Sequence, residues 1–451
     1  MINLSAISAG TYAVMGLGKS GLATVAALCS AGAKVMAFDD IPEKCAEARK
    51  LGACIEKLTT TDLTGVSALI LAPGIPHTLP VPHPVAARAK SLGIPIIGDI
   101  ELLLRAKPEA CIVAITGTNG KSTTTALIAH ILESTGRKVA VGGNLGNPVL
   151  AFPDDAETFV IEMSSYQLEL TPSMAAEVAI LTNITPDHLD RHGNMAGYAS
   201  VKEMVFRSPK GKGTTIIGVD DDFCRTIASR LPAPVPLSLE TPQPSGISVL
   251  DDGIVRDHEN AVFDMKDAPH LRGRHNAQNA AAAWAACKAL GLSEDAITRG
   301  LVSFPGLAHR QQEVAIIGRV TYINDSKATN ADAAEKALLS FADIYWLVGG
   351  KPKSDGLANL ALYNNRIHHS FVFGMAEDAF AGYLSAHGMP HTRCQTMKTA
   401  LEKAHDMAQA AGHGVVLLSP ACASFDQFNS FEHRGEVFIS LVHKLEEAGE
   451  A

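Results

Sequence analysis

A glycine-rich loop between a buried strand and a helix constrains this chain more than any other feature. The apolar residues 111–115 run into Thr116-Gly-Thr-Asn-Gly-Lys-Ser122, and a helical pattern follows. Backbone N–H groups in such a turn, together with the positive N-terminus of the helix, form a cradle for phosphate. Lys121 would reach the outer phosphates, and the Ser122 hydroxyl would bind Mg²⁺. The loop therefore predicts a parallel α/β sheet that binds a nucleotide.

This loop is a shortened form of the usual phosphate-loop pattern. That pattern has a glycine five residues before Gly120, where this chain has Ile115. The alternative interpretation is a Gly-Lys-Ser turn that arose by chance. The buried strand before the loop and the helix after it favour phosphate binding.

Two further predicted strands end in polar residues that suit a metal ion. Glu162 closes the apolar run 159–161, and His188 follows the strand predicted at 178–181. Mg²⁺ prefers oxygen ligands, and ligands gather at the carboxyl ends of strands in open α/β sheets. We therefore expect Glu162 beside the phosphate loop and His188 as a metal or phosphate contact. Taken alone, His188 would more often be a loop histidine bonded to a neighbour.

The first hundred residues contain a second phosphate-binding pattern. Gly16-Leu-Gly-Lys-Ser-Gly21 follows a predicted strand, and Asp39 and Asp40 end the next strand about twenty residues later. This is the arrangement of dinucleotide-binding domains, but the same turn holds any diphosphate. Because an ATP-type loop follows one domain later, we expect the first unit to bind a nucleotide-linked substrate and the second to bind ATP.

The alternation of apolar runs and helical patterns predicts an α/β protein with three domains. At about 150 residues per domain, 451 residues leave room for about three. Breaks at Lys107-Pro-Glu109 and Phe304-Pro-Gly306 indicate linkers. We predict domains over residues 1–106, 107–307 and 308–451, and an irregular sheet or surface excursion over 232–262. The predicted strands are 12–15, 34–38, 111–115, 159–163, 178–181, 320–323, 344–348, 370–373 and 415–418, and the predicted helices include 21–31, 42–50 and 276–290.

Composition excludes several classes of protein. The 47 acidic residues outnumber the 38 basic ones, and a net charge of -9 argues against general binding of nucleic acid or anionic membranes. The eight cysteines include no Cys-x-x-Cys pair, so the sequence contains no zinc-knuckle or thiol redox motif and reduced thiols are expected. No apolar run reaches the ~18 residues of a membrane span. Three glycines also interrupt the first apolar stretch, so we expect a cytoplasmic protein without a signal peptide.

Taken together, these motifs resemble the ATP-dependent Mur ligases, which build the peptide of bacterial peptidoglycan. The resemblance covers essentially the whole chain. It rests on the segments Gly117-Thr-Asn-Gly-Lys-Ser-Thr123, Glu162-Met-Ser-Ser-Tyr-Gln167, Asn183-Ile-Thr-Pro-Asp-His-Leu-Asp190, Gly273-Arg-His-Asn276, His309-Arg310 and Asn324-Asp-Ser-Lys-Ala-Thr-Asn330. The C-terminal stretch Leu418-Ser-Pro-Ala-Cys-Ala-Ser424-Phe-Asp-Gln-Phe428, with Phe431 and Arg434-Gly435, looks like the branch that adds D-glutamate.

The resemblance implies a domain plan and a reaction. The plan is a Rossmann-like N-terminal domain for the UDP end of the substrate, a central ATPase-like domain with a mostly parallel sheet, and a Rossmann-like C-terminal domain for the amino acid. In the implied reaction, ATP phosphorylates the terminal carboxylate of UDP-N-acetylmuramoyl-L-alanine. D-Glutamate then attacks the acyl phosphate, giving an amide, ADP and phosphate. The implied cofactors are ATP and two Mg²⁺ ions, and we expect a monomer.

The resemblance also assigns roles residue by residue. The UDP-substrate would contact Gly16, Leu17, Gly18, Asp39, Asp40, Pro73, Gly74 and Asn144. ATP would contact Gly117, Thr118, Asn119, Gly120, Lys121, Ser122, Thr123, Asn279, Arg310 and Asp325. D-Glutamate would contact Lys327, Thr329, Lys353, Ser424 and Phe431. The metal ligands would be Ser122, Glu162, His188 and Lys202, and the catalytic set Lys121, His188, Lys202 and Arg310.

Three positions have more than one interpretation: Lys202, Asp40 and the neighbouring lysines Lys351 and Lys353. The family carries the lysine matched by Lys202 as a carbamate, which converts a cation into an anion able to bind Mg²⁺. On sequence alone, Lys202 is an ordinary surface lysine. Asp40 stands where familiar members have a small hydroxyl residue, and an acid there would still accept the uracil N–H. Lys351 lies close enough to Lys353 in sequence to share its role.

Three alternative functions remain open at this point. A folylpolyglutamate synthetase would explain the phosphate loop but not the glycine pattern at 16–21. A nicotinamide oxidoreductase would explain that glycine pattern but leave Lys121 and Glu162 without a purpose. A non-catalytic nucleotide-binding module would not require Lys121, Glu162, His188 and Lys202 together.

Overall fold

The computed structural model describes residues 1–144, 146–207, 213–352, 356–357 and 360–449. These residues form three sheets in sequence order, each covered by helices, which we call the N-terminal, central and C-terminal sheets. The α/β class predicted from the sequence is confirmed. No helix in the described part of the chain is long and apolar enough to cross a membrane.

The N-terminal sheet is wholly parallel, with strand order β3-β2-β1-β4-β5. Its strands are β1 (Thr11–Met15), β2 (Lys34–Phe38), β3 (Cys54–Ile55), β4 (Val66–Leu71) and β5 (Ile96–Ile97). Its helices are α1 (Lys19–Ser30), α2 (Pro42–Lys50), α3 (Pro84–Ser91) and α4 (Asp99–Ala106). β2 and β3 are added on one side of β1, whereas β4 and β5 are added on the other side. The strand order therefore switches beside β1, which is where open α/β sheets bind ligands.

The central sheet has strand order β14-β13-β12-β11-β10-β9-β6-β8-β7. Its strands are β6 (Cys111–Thr116), β7 (Val139–Gly143), β8 (Thr158–Glu162), β9 (Val178–Leu181), β10 (Thr214–Gly218), β11 (Val235–Ser238), β12 (Ile247–Val249), β13 (Ile254–Asp257) and β14 (Asn260–Asp264). Its helices are α5 (Lys121–Ser134), α6 (Ser165–Glu169), α7 (Leu189–His192), α8 (Met195–Glu203), α9 (Asp222–Ala228), α10 (Arg274–Ala289) and α11 (Glu294–Ser303). Pairing is parallel from β7 to β12 and antiparallel from β12 to β14.

The C-terminal sheet has strand order β15-β16-β20-β17-β18-β19. Its strands are β15 (Gln312–Ile317), β16 (Val320–Asn324), β17 (Ile344–Gly349), β18 (Ile367–Phe373), β19 (His391–Gln395) and β20 (Gly414–Leu418). Its helices are α12 (Ala331–Ser340), α13 (Glu377–Ala386), α14 (Met397–Ala411) and α15 (Phe431–Gly449). β15 is an added edge strand that pairs antiparallel with β16, and the pairs β16–β20, β20–β17, β17–β18 and β18–β19 are parallel.

Residue contacts divide the chain into two compact units, Met1–Phe304 and Pro305–Ala451. The first unit holds two sheets because one cluster of buried apolar residues includes Val14 and Ile70 from the N-terminal sheet and Ala114 and Ile161 from the central sheet. Removing that shared surface from water stabilises the two sheets as one body. The boundaries at residues 106 and 307 stay a prediction.

The predicted elements agree with the structure where the sequence pattern is strong. The bounds of β2, α2 and β9 coincide with the prediction, and the remaining predicted strands differ at their ends by one to three residues. The stretch 232–262, predicted as an irregular sheet or surface excursion, contributes β11 to β13 and the start of β14 to the central sheet.

Candidate functional site

The phosphate loop connects β6 to α5 and depends on two glycines. Gly117 has φ +148° and Gly120 has φ +84°, both in the region that L side chains rarely adopt. A Cβ atom at Gly117 would lie 1.9 Å from Oγ1 of Thr182, and one at Gly120 would lie 2.4 Å from Oδ1 of Asn279. The loop can therefore pack against its neighbours only because both positions lack a side chain.

Residues that follow β9 hold this loop in place. The N–H of Thr118 donates to the Asn183 carbonyl at 2.9 Å, and the N–H of Asn119 donates to Asn183 Oδ1 at 2.9 Å. The Thr182 hydroxyl donates to the Asn119 carbonyl at 2.6 Å. Since these two loop N–H groups already have partners, binding of phosphate falls to the N-terminus of α5. Sequence reasoning gave Thr182 and Asn183 no such role, although both follow a predicted strand.

The side chain of Lys121 folds back over the loop. Its Nζ donates to the carbonyls of Gly117 at 3.0 Å and Thr118 at 2.8 Å. Ser122 and Thr123, the next residues of α5, are both buried. Asn279 of α10 lies against the same helix, because its Oδ1 accepts from the Thr124 hydroxyl at 3.1 Å.

Glu162 lies beside the loop, as expected. It ends β8, which is the neighbour of β6, and it pairs in register with Ile115. The side chain is buried, and its Oε1 accepts from Asn144 Nδ2 at 2.7 Å. Among the described residues, no donor reaches Oε2, which is also buried. A buried carboxylate oxygen without a donor is costly unless a cation binds it, so Glu162 fits a metal ligand.

His188 follows β9 on the other side of β6. Its backbone is left-handed, with φ 51°, and its side chain is about half exposed. The Nε2 atom lies 3.3 Å from Oδ2 of Asp187, and the ring lies 5.1 Å from that of Tyr166. Both Glu162 and His188 thus lie at the carboxyl edge of the central sheet, one strand to each side of the loop.

Lys202 is not the surface lysine that its sequence context indicates. It lies in α8 with 1% of its surface exposed, and its Nζ donates to the Gly117 carbonyl at 2.7 Å. Burial, reinforced by the nearby charge of Lys121, lowers the pKa of Lys202 well below its ordinary value. The amine therefore lies under the phosphate loop, in an environment that favours its neutral form over its charged form.

Sequence reasoning also missed the two residues that end α7. Arg191 lies over the Tyr166 ring at 4.3 Å and donates to the Gly74 carbonyl at 3.2 Å. His192 is buried, its Nε2 lies 2.9 Å from the Ser165 hydroxyl, and burial lowers its pKa to about 4. Arg191 therefore links the central sheet to the predicted substrate loop at Gly74. The only signal in the sequence was their position directly after Asp187-His-Leu-Asp190.

The glycine pattern of the N-terminal sheet forms the expected strand–turn–helix. Gly16 has φ +90°, and a Cβ at Gly21 would lie 1.9 Å from the Gly16 carbonyl oxygen. The N–H of Leu17 donates to Asp39 Oδ2 at 2.6 Å, so this carboxylate fixes the turn. Asp40 is exposed. Gly18 follows β1, and Pro73 and Gly74 follow β4, so all three lie at the same carboxyl edge of the sheet.

The C-terminal unit contains its own group of predicted site residues. Asp325 follows β16 and is buried, accepting from the Ser419 hydroxyl at 2.8 Å and from the N–H of Gln311 at 3.2 Å. Burial raises the pKa of Asp325 to about 7, although the charge of Arg310 opposes that shift. Arg310, partly buried, lies directly before Gln311.

The predicted D-glutamate residues lie around α15 and the end of β20. Lys327 Nζ lies 5.7 Å from the centre of the Phe431 ring, Ser424 is buried, and Thr329 is partly buried. Lys353 lies outside the described residues. Lys351, its alternative, is exposed and pairs through its backbone with Ala423.

Arg434, part of the C-terminal sequence pattern, holds this region together. Its side chain is fully buried and donates to the Ser326 hydroxyl and carbonyl, at 2.9 and 2.7 Å, and to the Cys422 carbonyl at 3.1 Å. Burial lowers the pKa of its guanidinium to about 10. Arg434 therefore fixes the loops that follow β16 and β20 relative to α15.

The raised pKa of Asp325 predicts a pH-dependent stability. The folded state retains the Asp325 proton up to about pH 7, whereas the unfolded state loses it near pH 4. The stability that this proton contributes is complete below pH 4 and is lost as the pH rises to 7. The wild type should therefore lose stability relative to Asp325→Asn as the pH rises from 5 to 7. We expect the unfolding free energy of the variant minus that of the wild type to increase by up to about 1.4 kcal/mol per pH unit.

This difference is measured by urea unfolding, followed through Trp346 fluorescence in a Trp284→Phe background. Trp346 reports on the C-terminal unit because its indole donates to the Ser419 carbonyl, next to Asp325. A stability difference between variant and wild type that stays constant with pH would contradict the prediction.

Known proteins resemble this chain in sequence over its whole length. The sequence profile of the Mur ligase middle domain matches residues 115–287. The UDP-N-acetylmuramoylalanine--D-glutamate ligase of Paramagnetospirillum magneticum is 46% identical, with 100% of both chains covered. The enzyme of the same name from Bradyrhizobium diazoefficiens is 47% identical over 99% of this chain and 98% of its own.

Two solved structures resemble the fold at low sequence identity. The UDP-N-acetylmuramate-alanine ligase MurC of Thermotoga maritima aligns with a TM-score of 0.60 at 17% identity, covering 96% of this chain and 99% of its own. MurF of Acinetobacter baumannii aligns with a TM-score of 0.55 at 20% identity, covering 77% of this chain and 80% of its own.

Proposed function

The chain belongs to the Mur ligase family, and we propose that its phosphate loop, Glu162, His188 and Lys202 form the centre where ATP activates a carboxylate. The chain adds D-glutamate to UDP-N-acetylmuramoyl-L-alanine in peptidoglycan precursor synthesis, and its full-length relatives are named UDP-N-acetylmuramoylalanine--D-glutamate ligase. The observation that carries the proposal is Glu162, whose buried Oε2 has no donor among the described residues, one strand away from the loop.

The first step overcomes the poor reactivity of a carboxylate. ATP transfers its γ-phosphoryl group to the L-alanine carboxylate, which gives an acyl phosphate with a good leaving group. We assign Lys121 and the N-terminus of α5 to the phosphates, and Arg310 to the negative charge that develops during the transfer. The carbonyl contacts of Lys121 support this role, since they keep the ammonium group over the loop where phosphate would lie.

The metal ligands are proposed from the chemistry of the available donors. Ser122, Glu162 and His188, with a carbamate on Lys202, offer mainly oxygen ligands, which suit Mg²⁺. When bound there, Mg²⁺ would neutralise charge on the phosphates. Asn144 orients Glu162 by donating to Oε1, which leaves Oε2 for the metal. The resemblance also assigns Asn144 to the substrate near its reacting end.

The carbamate is proposed because Lys202 is buried with a lowered pKa. A neutral amine attacks CO₂ through its lone pair, forming a C–N bond and releasing one proton to solvent. The product is an anion where the lysine would otherwise be a cation. The lowered pKa of Lys202 supports this step, since a protonated amine has no lone pair to donate.

The second step is attack of the D-glutamate amine on the acyl phosphate. The tetrahedral intermediate collapses to the amide and releases phosphate, and we assign His188 to positioning or deprotonating the amine. We assign the two carboxylates of D-glutamate to Lys327, Thr329, Ser424, the backbone at Phe431, and Lys353 or Lys351. Charged and hydroxyl donors of this kind bind carboxylates strongly.

The remaining assignments concern the other ligands and the setting of the reaction. We assign the adenosine of ATP to Asn279 and Asp325, and the UDP group to the turn at 16–18, Asp39, Asp40, Pro73 and Gly74. The fixed turn supports the latter, because Asp39 holds the Leu17 N–H. We expect the enzyme to work as a monomer in the cytoplasm, where ATP and nucleotide-linked precursors are available.

The test is phosphate release from Mg-ATP and UDP-N-acetylmuramoyl-L-alanine, compared with D-glutamate, L-glutamate, L-lysine and no amino acid. We expect release only with D-glutamate, at least about 10²-fold above the other samples, because the site must pair both carboxylates in one handedness. Equal release with L-lysine would move the enzyme to another branch of the family. Glutamylation of a folate, or tight NAD binding without phosphate release, would support the alternative functions instead.

A further inference from the structure

We propose that Asp343, His368 and His413 bind a zinc ion at the amino edge of the C-terminal sheet. One carboxylate oxygen and two imidazole nitrogens from these residues lie within 4.8 Å of one another. All three side chains are exposed, so a metal ion can reach them from solvent. None of the three belongs to the residues assigned above to substrates or Mg²⁺.

The topology of the sheet brings these residues together. Asp343 directly precedes β17, His368 is the second residue of β18, and His413 directly precedes β20. The three strands are parallel neighbours, in the order β20-β17-β18, so their starts meet at one edge. The N–H of Val415 also donates to the Asp343 carbonyl at 3.0 Å, which fixes two of the three positions relative to each other.

The donor atoms have spacing and support that suit a metal. The Nε2 of His368 lies 3.2 Å from Oδ1 of Asp343, and zinc bonds of about 2.0–2.1 Å in a tetrahedron would separate ligand atoms by about 3.3 Å. The Nδ1 of His413 is 3.1 Å from the Ala411 carbonyl, and donation there leaves its Nε2 lone pair for the metal. The His368 ring stacks on Tyr345 with centroids 5.5 Å apart.

The donor set favours zinc over magnesium. Two imidazoles and one carboxylate are typical zinc ligands, whereas Mg²⁺ takes oxygen ligands and keeps its waters. Three protein ligands leave a fourth position for water. On binding, each imidazole donates an Nε2 lone pair, and the Nε2 proton of His368 moves to Nδ1 through solvent. The ion would then connect the starts of three neighbouring strands, two of which, β17 and β20, lead at their other ends to predicted D-glutamate residues.

The test is titration of Zn²⁺ into metal-free full-length protein by calorimetry, with Mg²⁺ in excess to saturate oxygen sites. We expect the wild type to bind one equivalent of Zn²⁺. The double variant His368→Gln/His413→Gln should either not bind this equivalent or bind it at least tenfold more weakly. Asp343→Asn should weaken the same equivalent while keeping the left-handed backbone, φ 54°, which asparagine accepts. Co²⁺ should give the visible absorption of a tetrahedral complex in the wild type but not in the double variant.

His387→Gln is the matched control. His387 is also exposed, its Nδ1 lies 2.8 Å from the Tyr383 carbonyl, and its ring packs on Tyr383, but it belongs to no such group of ligands among the described residues. This variant should bind Zn²⁺ like the wild type. Equal stoichiometry and affinities within twofold for wild type and double variant would overturn the proposal, as would an equal loss in His387→Gln. Because the measurement is binding, the outcome is independent of the ligase reaction.

Discussion

Replacing Lys121 by alanine is expected to lower D-glutamate-dependent phosphate release by about 10³-fold or more. The ammonium group of Lys121 lies over the phosphate loop, held by the carbonyls of Gly117 and Thr118. In the proposed role, its charge would stabilise the transferred phosphoryl group more in the transition state than in bound ATP, so the loss should fall mainly on kcat. The measurement is phosphate release at saturating UDP-N-acetylmuramoyl-L-alanine, D-glutamate and Mg-ATP.

Lys138→Ala is the control for this variant. Lys138 directly precedes β7 of the central sheet, but its side chain is 62% exposed and pairs with Asp155 at 2.8 Å. Its loss should leave kcat within about twofold of the wild type, because exposed ion pairs contribute little. A Lys121→Ala enzyme that keeps a tenth or more of the wild-type rate would show that the loop does not hold the transferred phosphate.

Replacing Lys202 by either alanine or arginine is expected to lower kcat by about 10²–10³-fold. Arginine keeps N–H groups that could donate to the Gly117 carbonyl, but it cannot form a carbamate. Comparing the two variants therefore separates a metal-binding anion from a lysine that only supports the loop. Both variants should retain the circular dichroism of the folded wild type, which shows that the loss is not unfolding.

The carbamate itself can be observed without activity. After equilibration with ¹³C-bicarbonate, the wild type should show a carbamate carbon resonance that is absent from both Lys202 variants. The lowered pKa of Lys202 favours this modification, since the neutral amine is the reactive form. A fully active Lys202→Arg enzyme, or a wild type without the resonance, would contradict the carbamate.

Local sequence patterns determined much of the fold. Short-range features such as the apolar run of β9 and the charged helix α2 gave correct bounds, because burial on one face and helix periodicity are properties of neighbouring residues. The local pattern of residues 232–262 did not predict the individual strands that the stretch contributes to the central sheet. Its strands are three to five residues long and are stabilised by pairing with one another, which no local pattern records.

The sequence also determined the phosphate loop, the N-terminal turn and Glu162 at the end of β8. Each follows from a few adjacent residues, because a strand that ends in a glycine turn or a carboxylate presents that group at the sheet edge. The family motifs added roles for Asn144, Asn279 and Arg310 that spacing alone did not give. For Asp39, the family motifs gave only a contact with the UDP-substrate. The structure shows that its carboxylate also accepts from the Leu17 N–H, which the motifs did not indicate.

Only the tertiary structure decided which of these groups are charged, buried or without a partner. Lys202 is 85 residues from Gly117 in sequence, and Asp325 is 94 residues from Ser419, yet these contacts fix the environment of each titratable group. The same holds for Oε2 of Glu162, which no donor reaches within the described ranges, and for the meeting of Asp343, His368 and His413. The physical reason is that a pKa and a metal site depend on desolvation and on distances between atoms far apart in sequence, whereas strands, helices and turns depend on neighbours.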